Sequence, residues 1–194
     1  MRTFFGIPIQ NQLHSTIFQM AEHLRSQTRM WASWVPQQNY HITLRFLGDI
    51  DPGLLVDLDD LCRAVCKDVE PFECIMDRVG AFPSADRARV VWVGGEAPPS
   101  FRRLSRALSD GLVDLGFPEA RKESWVHVTL ARIKDRPDPT LPGMISELNP
   151  IAPMKMTIDR IALMESTLTP QGAEYLPLFT TRLGDLKDDT HRVA

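Results

Sequence analysis

The chain has 194 residues, 43% of them hydrophobic and 24% charged, with a net charge of −3 at pH 7. This balance is that of an ordinary globular protein with enough apolar material for a sizeable core, and it argues against a protein that coats long stretches of nucleic acid, which needs many phosphate contacts. Cys62, Cys66 and Cys74 lack the Cys-x-x-Cys spacing and nearby His of a zinc site, so reduced structural thiols are expected.

In chain order, residues 2–9 read as a strand, and Asn11 as the cap of a helix with Leu13, Ile17, Met20 and Leu24 on one face. The polar segment 34–39 is expected to be an ordered loop that feeds a strand from Tyr40 to Leu47. Asp51 and Pro52 form a helix-start pair, followed by an apolar face of Leu54, Leu58, Leu61 and Val65. Residues 70–82 and 88–94 resemble two strands of a hairpin around Pro83. Pro98 and Pro99 open a helix with Phe101, Leu104, Leu108 and Leu115 inward, which closes at Gly116. A strand from Trp125 to Ile133 follows, then an exposed loop to Pro142, a short helix at 141–148 and late strands at 153–166 and 173–182. The polar stretch 184–194 reads as a frayed tail, which leaves 1–183 as one domain. This alternation of strands and helices predicts an α+β fold, with helices packed outside antiparallel sheets. The short apolar N-terminal run is neither a signal peptide nor a membrane span, so a cytoplasmic location is the default.

Two copies of one tetrapeptide stand out: His41-Ile42-Thr43-Leu44 and His127-Val128-Thr129-Leu130. Random placement of the His and Thr in this chain gives roughly 0.3 His-x-Thr pairs before any demand for Leu. The competing reading is a pair of half-buried strands that happen to carry histidines on their polar side. His14, His23 and His191 lie in no ligand-like cluster and read as surface or capping residues.

Strand alternation puts His41, Thr43 and Arg45 on one face, with Ile42, Leu44 and Phe46 beneath, and likewise His127 and Thr129 over Val128 and Leu130. Arg132 points away on strict alternation unless a bulge re-aims it. An imidazole titrates near 6.5, so of two histidines one can donate a proton while the other accepts. Threonine hydroxyls can donate to phosphoryl oxygens. The set suits phosphodiester chemistry without a metal. Neither motif carries the carboxylates of a metal-dependent phosphatase, and no Gly-x-Ser-x-Gly, Walker or Rossmann sequence occurs.

With these residues the chain resembles the RNA 2',3'-cyclic phosphodiesterases of the two-histidine phosphoesterase superfamily, bacterial proteins first described as 2'-5' RNA ligases. The likeness runs from about residue 2 to residue 182. It includes Arg2-Thr3-Phe4-Phe5-Gly6-Ile7, the block from Trp34 to Gly48, Gly80-Ala81-Phe82-Pro83-Ser84, Val90-Val91-Trp92-Val93-Gly94, the stretch from His127 to Arg132, and later Glu165-Ser166-Thr167-Leu168 and Gly172-Ala173-Glu174-Tyr175. Val126 departs from the family's usual Pro before the second His.

The resemblance implies a bilobal fold with a pseudo-twofold axis and the two motifs facing across a cleft. It implies hydrolysis of RNA 2',3'-cyclic ends to 2'-phosphomonoesters, with His41 as proton donor to the 3'-oxygen, His127 as the acceptor that activates water, and Thr43 and Thr129 on the phosphoryl oxygens. Arg132 and Arg45 are candidate phosphate ligands. No metal or other cofactor is expected, and the partner is RNA with a cyclic phosphate terminus, met by a monomer. Two other readings use the same pocket: a 2'-5' RNA ligase, or a phosphodiesterase for small cyclic nucleotides or 2'-5' oligonucleotides. A third is a non-catalytic module that binds RNA ends.

Overall fold

The computed structural model describes residues 1–120, 125–169 and 172–184. Of the expected frayed tail at 184–194, Gly184 is held by its N–H on the Cys66 carbonyl at 3.0 Å, and residues 185–194, with His191, lie outside the described residues. The elements are β1 (Arg2–Pro8), α1 (Asn11–Gln27), β2 (Ala32–Trp34), β3 (His41–Asp49), α2 (Leu55–Lys67), β4 (Phe72–Met76), β5 (Arg78–Phe82), β6 (Val90–Gly95), α3 (Pro99–Asp114), β7 (Val126–Ile133), α4 (Leu141–Leu148), β8 (Met154–Ile158), β9 (Arg160–Thr169) and β10 (Gly172–Arg182). Among the described residues no helix is long and apolar enough to cross a membrane.

The fold is α+β. Seven strands stand side by side in the order β10-β9-β1-β3-β7-β6-β5, with β2 added to the far end of β7, and β4 and β8 pair separately. All pairings among the described residues are antiparallel. Alternate residues of the central strands are fully buried: Ile42, Val128, Leu130, Val91 and Val93 meet Leu58, Leu104, Leu108 and Leu112 from α2 and α3 in one core. Each such side chain contributes about 1.5–3 kcal/mol relative to exposure. The opposite face of β3 and β7 carries the histidines.

Local chemistry sets the helix ends. The Asp51 carboxylate accepts from the Gly53 N–H at 2.7 Å, with Pro52 at the first position of the 3-10 turn that leads into α2. Gly116, at φ +87°, closes α3: its N–H bonds the Val113 carbonyl and that of Phe117 bonds the Leu112 carbonyl, both at 2.9 Å. Asn11 is not the cap of α1, because the Leu13 N–H already bonds the Gln10 carbonyl and the first turn starts one residue earlier.

Two expected long strands are each cut in half. Residues 70–82 break at Asp77 and 153–166 break at Asp159, so that β4 pairs with β8 while β5 and β9 join opposite halves of the main sheet. At each break an Asp pairs with the Arg that follows, Asp77 with Arg78 at 2.9 Å and Asp159 with Arg160 at 2.8 Å. Both carbonyls are used outside the main ladder, Asp77 accepting from Ile151 and Asp159 from Leu183. The expected loop before β3 begins later than anticipated, since Ala32–Trp34 pairs with β7 and a 3-10 turn spans Gln37–Asn39.

Candidate active site

The two motif strands meet at one residue pair, Ile42 opposite Val128. Antiparallel register then sets His41 across from Thr129 and Thr43 across from His127, so the histidines occupy one diagonal of a four-residue square and the threonines the other. In a regular ladder such diagonal neighbours stand about 7–8 Å apart. A twofold axis through this seam exchanges His41 with His127 and Thr43 with Thr129. It also exchanges β1 with β6: Pro8 and Gly6 pair with His41 and Thr43 as Gly94 and Trp92 pair with His127 and Thr129.

Each motif contains a β-bulge at its leucine. Along β1 the partner jumps from Arg45 to Thr43, and along β6 from Ala131 to Thr129, which makes Leu44 and Leu130 the extra residues. A bulge shifts the phase of the alternation. The residue five places after each histidine therefore returns to the cleft face: Arg132 on β7 and Phe46 on β3. Arg132 is exposed, and its charge acts on both imidazoles.

The same shift overturns two expectations. Phe46, assigned to the core by strict alternation, is 58% exposed, beside Phe4 at 5.7 Å between ring centroids. Arg45 leaves the cleft face, and its guanidinium donates to the Pro118 carbonyl beyond α3.

The two imidazoles are held alike. His41 Nδ1 lies 2.8 Å from the Asn39 carbonyl and His127 Nδ1 lies 3.0 Å from the Trp125 carbonyl. A carbonyl only accepts, so each Nδ1 carries hydrogen and each Nε2 is left for chemistry. His41 Nε2 is 3.1 Å from Thr43 Oγ1, which donates to it when the ring is neutral.

Burial pushes the His41 pKa down to about 4; the Asn39 bond opposes this, and the charges of Arg132 and His127 add to it. His127 is lowered for the same leading reason, opposed by its bond to Trp125 and reinforced by Arg132. The protein's own groups thus favour two neutral imidazoles beside a positive charge. A bound anion reverses that preference, since opposite charge favours the protonated form.

Aromatic rings enclose both histidines. Phe4 and Tyr175 lie 4.7 and 5.0 Å from His41, and Phe82 and Trp92 lie 5.3 and 6.4 Å from His127. Gly80 makes room for Trp92, because a Cβ there would run into the indole ring. Asn39 was missed by the sequence reading. It is buried, and its amide donates to the Ala173 carbonyl at 2.5 Å, tying the residue that holds His41 to the strand that brings in Tyr175. Its only sequence signal is a position two before the histidine. His14 bonds the Ile9 carbonyl at 3.0 Å, and the three cysteines are buried free thiols. Among the described residues no three His, Cys, Asp or Glu side chains gather as a metal-binding group.

The family described as LigT like Phosphoesterase matches residues 7–92 and 95–175. The chain is 31% identical over 184 residues to an RNA 2',3'-cyclic phosphodiesterase of Methanothermobacter thermautotrophicus, covering 94% of this chain and 99% of that one. It is 34% identical over 150 residues to a protein of the same name from Aeropyrum pernix, covering 76% and 84%. Among solved structures, a Thermus thermophilus protein matches with a TM-score of 0.79 and 26% identity over 95% of this chain and 98% of that one. E. coli LigT complexed with 3'-AMP shares the fold, at a TM-score of 0.73 and 22% identity over the same shares. The duplicated motif, its diagonal geometry and these matches agree: the chain belongs to the LigT-like phosphoesterase family.

Proposed function

We propose that residues 1–183 form one catalytic unit that hydrolyses RNA 2',3'-cyclic phosphate ends to 2'-phosphomonoesters without a metal. His127 Nε2 takes a proton from water as the water oxygen attacks phosphorus. The P–O3' bond breaks, and His41 Nε2–H gives its proton to the departing 3'-oxygen. Thr43 and Thr129 donate to the non-bridging oxygens, and Arg132 offsets the charge that develops on them. The diagonal register at the Ile42–Val128 seam carries this reading: it brings the two histidines to one rung from opposite strands, and a phosphate resting over that rung would lie between them. The names of the relatives point to the same substrate. His41 as donor and His127 as acceptor are the roles that the family resemblance implies, and the exposed ring of Phe46 on the same strand as His41 offers a stacking face to the terminal nucleobase.

The test is turnover of an RNA oligomer with a 2',3'-cyclic end in excess EDTA, with the product followed by phosphorus NMR. A 2'-phosphate is expected, with losses of about 10²–10⁴ in His41→Ala and in His127→Ala. Loss of activity on chelation, a 3'-phosphate product, or near-normal rates in both variants would overturn the proposal.

A further inference from the structure

Arg87, Arg89 and Arg136 line a cavity of about 740 Å³ between the β5–β6 connection and the segment after β7. Asp86, Asp135 and Asp138 share its walls, yet among the described residues none of these arginines forms an ion pair with them. Arg89 instead donates to the Asp135 carbonyl at 2.8 Å. Asp138 is occupied by the Arg29 N–H at 2.8 Å and by the N–H and hydroxyl of Thr140 at 2.9 and 2.7 Å. Asp86, Asp135 and Asp138 match the three arginines in number, yet among the described residues none of the three guanidinium groups is held in an ion pair, so all three are free to meet the phosphates of an anionic ligand.

The cavity adjoins the catalytic cleft. Its wall includes Pro83, next to the Phe82 ring that packs on His127. The Arg89 carbonyl accepts from the Ile133 N–H at 2.9 Å, one residue past Arg132. Lys134 follows, and its ammonium stands 5.9 Å over the ring of Trp31, which is 69% exposed. The Lys134 N–H bonds the Trp31 carbonyl at 2.8 Å, so this ring is tied to the end of β7. Cations in series with an exposed ring form the pattern that tracks a single nucleic-acid strand, the cations meeting phosphates and the ring stacking a base. A cyclic phosphate is the 3' end of its strand, so everything beyond the terminal nucleotide extends in the 5' direction away from the histidines.

We propose that this groove, from Arg132 past Lys134 and Trp31 to Arg136, Arg89 and Arg87, binds the single-stranded RNA immediately 5' of the cyclic end. The proposal rests on the reaction assigned above and adds the path of the substrate outside the cleft.

The experiment compares a nucleoside 2',3'-cyclic phosphate with a ten-nucleotide single-stranded RNA ending in a cyclic phosphate, across a salt series. The proteins are the wild type, the double variant Arg87→Gln/Arg136→Gln, and Trp31→Ala. Equilibrium binding of the same oligomer is measured in parallel. The wild type is expected to show a lower KM for the oligomer. In the double variant that KM rises roughly fivefold to tenfold, and the slope of log affinity against log salt shrinks by about 1.4, or 0.7 per lost phosphate contact. Trp31→Ala weakens oligomer binding fivefold or more. Turnover of the mononucleotide stays at the wild-type value in both variants, which also reports that each is folded. Equal KM for the two substrates in the wild type, or an unchanged salt slope in the double variant, would overturn the groove. Absence of turnover in the wild type would sink the reaction, while the binding slopes would still decide the groove.

Discussion

Change of pH is the most direct probe of the histidine pair, because kcat/KM reports the titrations of the free enzyme. With the His41 pKa near 4, a donor in the empty cleft is protonated in only about one molecule in a thousand at pH 7, and in about one in ten at pH 5. His127, lowered as well, stays neutral and ready to accept a proton until the pH falls below 6.5. The expected profile therefore climbs about tenfold per unit as pH falls from 8, and turns over only below 6.5, where His127 begins to protonate. The profile of kcat is flatter, because the bound phosphate raises the donor's pKa. Arg132→Gln removes a positive charge that depresses both groups, so the turnover point moves to higher pH while the rate drops. The assay is initial-rate hydrolysis of a nucleoside 2',3'-cyclic phosphate in a constant-ionic-strength buffer from pH 4 to 9. A kcat/KM that is flat or rising between pH 6.5 and 8, or an Arg132→Gln profile that does not shift, would refute this account of the site.

Stability should follow the same ionisation with a definite sign. The folded His41 pKa lies below its unfolded value, so the unfolded chain takes up the proton first, and stability is lost as pH falls from 6.5 towards 4. Urea unfolding at pH 7.5 and 4.5 should differ by about 2–3 kcal/mol from this group, a difference that His41→Gln removes. Asn39→Ala leaves the Ala173 carbonyl without its donor at a cost of about 1–3 kcal/mol and lowers kcat more than it raises KM; a variant with lowered Tm but wild-type kcat would mean that Asn39 does not position His41. Gly80→Ala drives a methyl group into the Trp92 ring, for a loss of about 1–3 kcal/mol and an altered near-UV tryptophan spectrum, checked by calorimetry and circular dichroism. Phe46→Ala should raise KM for nucleoside cyclic phosphates at least fivefold while changing stability by about 0.5 kcal/mol or less, because its ring is mostly exposed.

Much of the architecture was legible because it follows from local rules. The Asp51-Pro52 start, the Gly116 stop and the Phe101, Leu104 and Leu108 face of α3 are written in single residues and short spacings, whereas α2 buries Cys62 and Cys66 beside Leu58 and leaves the expected Leu54, Leu61 and Val65 half-buried. The breaks at Asp77 and Asp159 were not, since Val, Ile, Phe and Met continue on both sides and only the choice of partner strand divides them. The candidate site divides in the same way. His41, Thr43, His127 and Thr129 share a face within three residues of strand, a span that alternation handles well. The bulge at each Leu lies just beyond that span, so strict alternation misplaced Arg45 and Phe46 and left Arg132 open. Bulges arise from pairing with a neighbouring strand, and no residue within either motif announces one.

The seam at Ile42 and Val128 also decides how sensitive the site is to small displacements. β3 and β7 share one rung at its floor, with β2 paired to β7 beyond it, so the separation of the imidazoles follows the angle between the two motif strands. A change of about 10° in that angle would carry a ring tip by about 1 Å, enough to change a rate by about a hundredfold. A phosphate held by one hydroxyl from each strand would fix that angle, so that the substrate itself sets the gauge of the site.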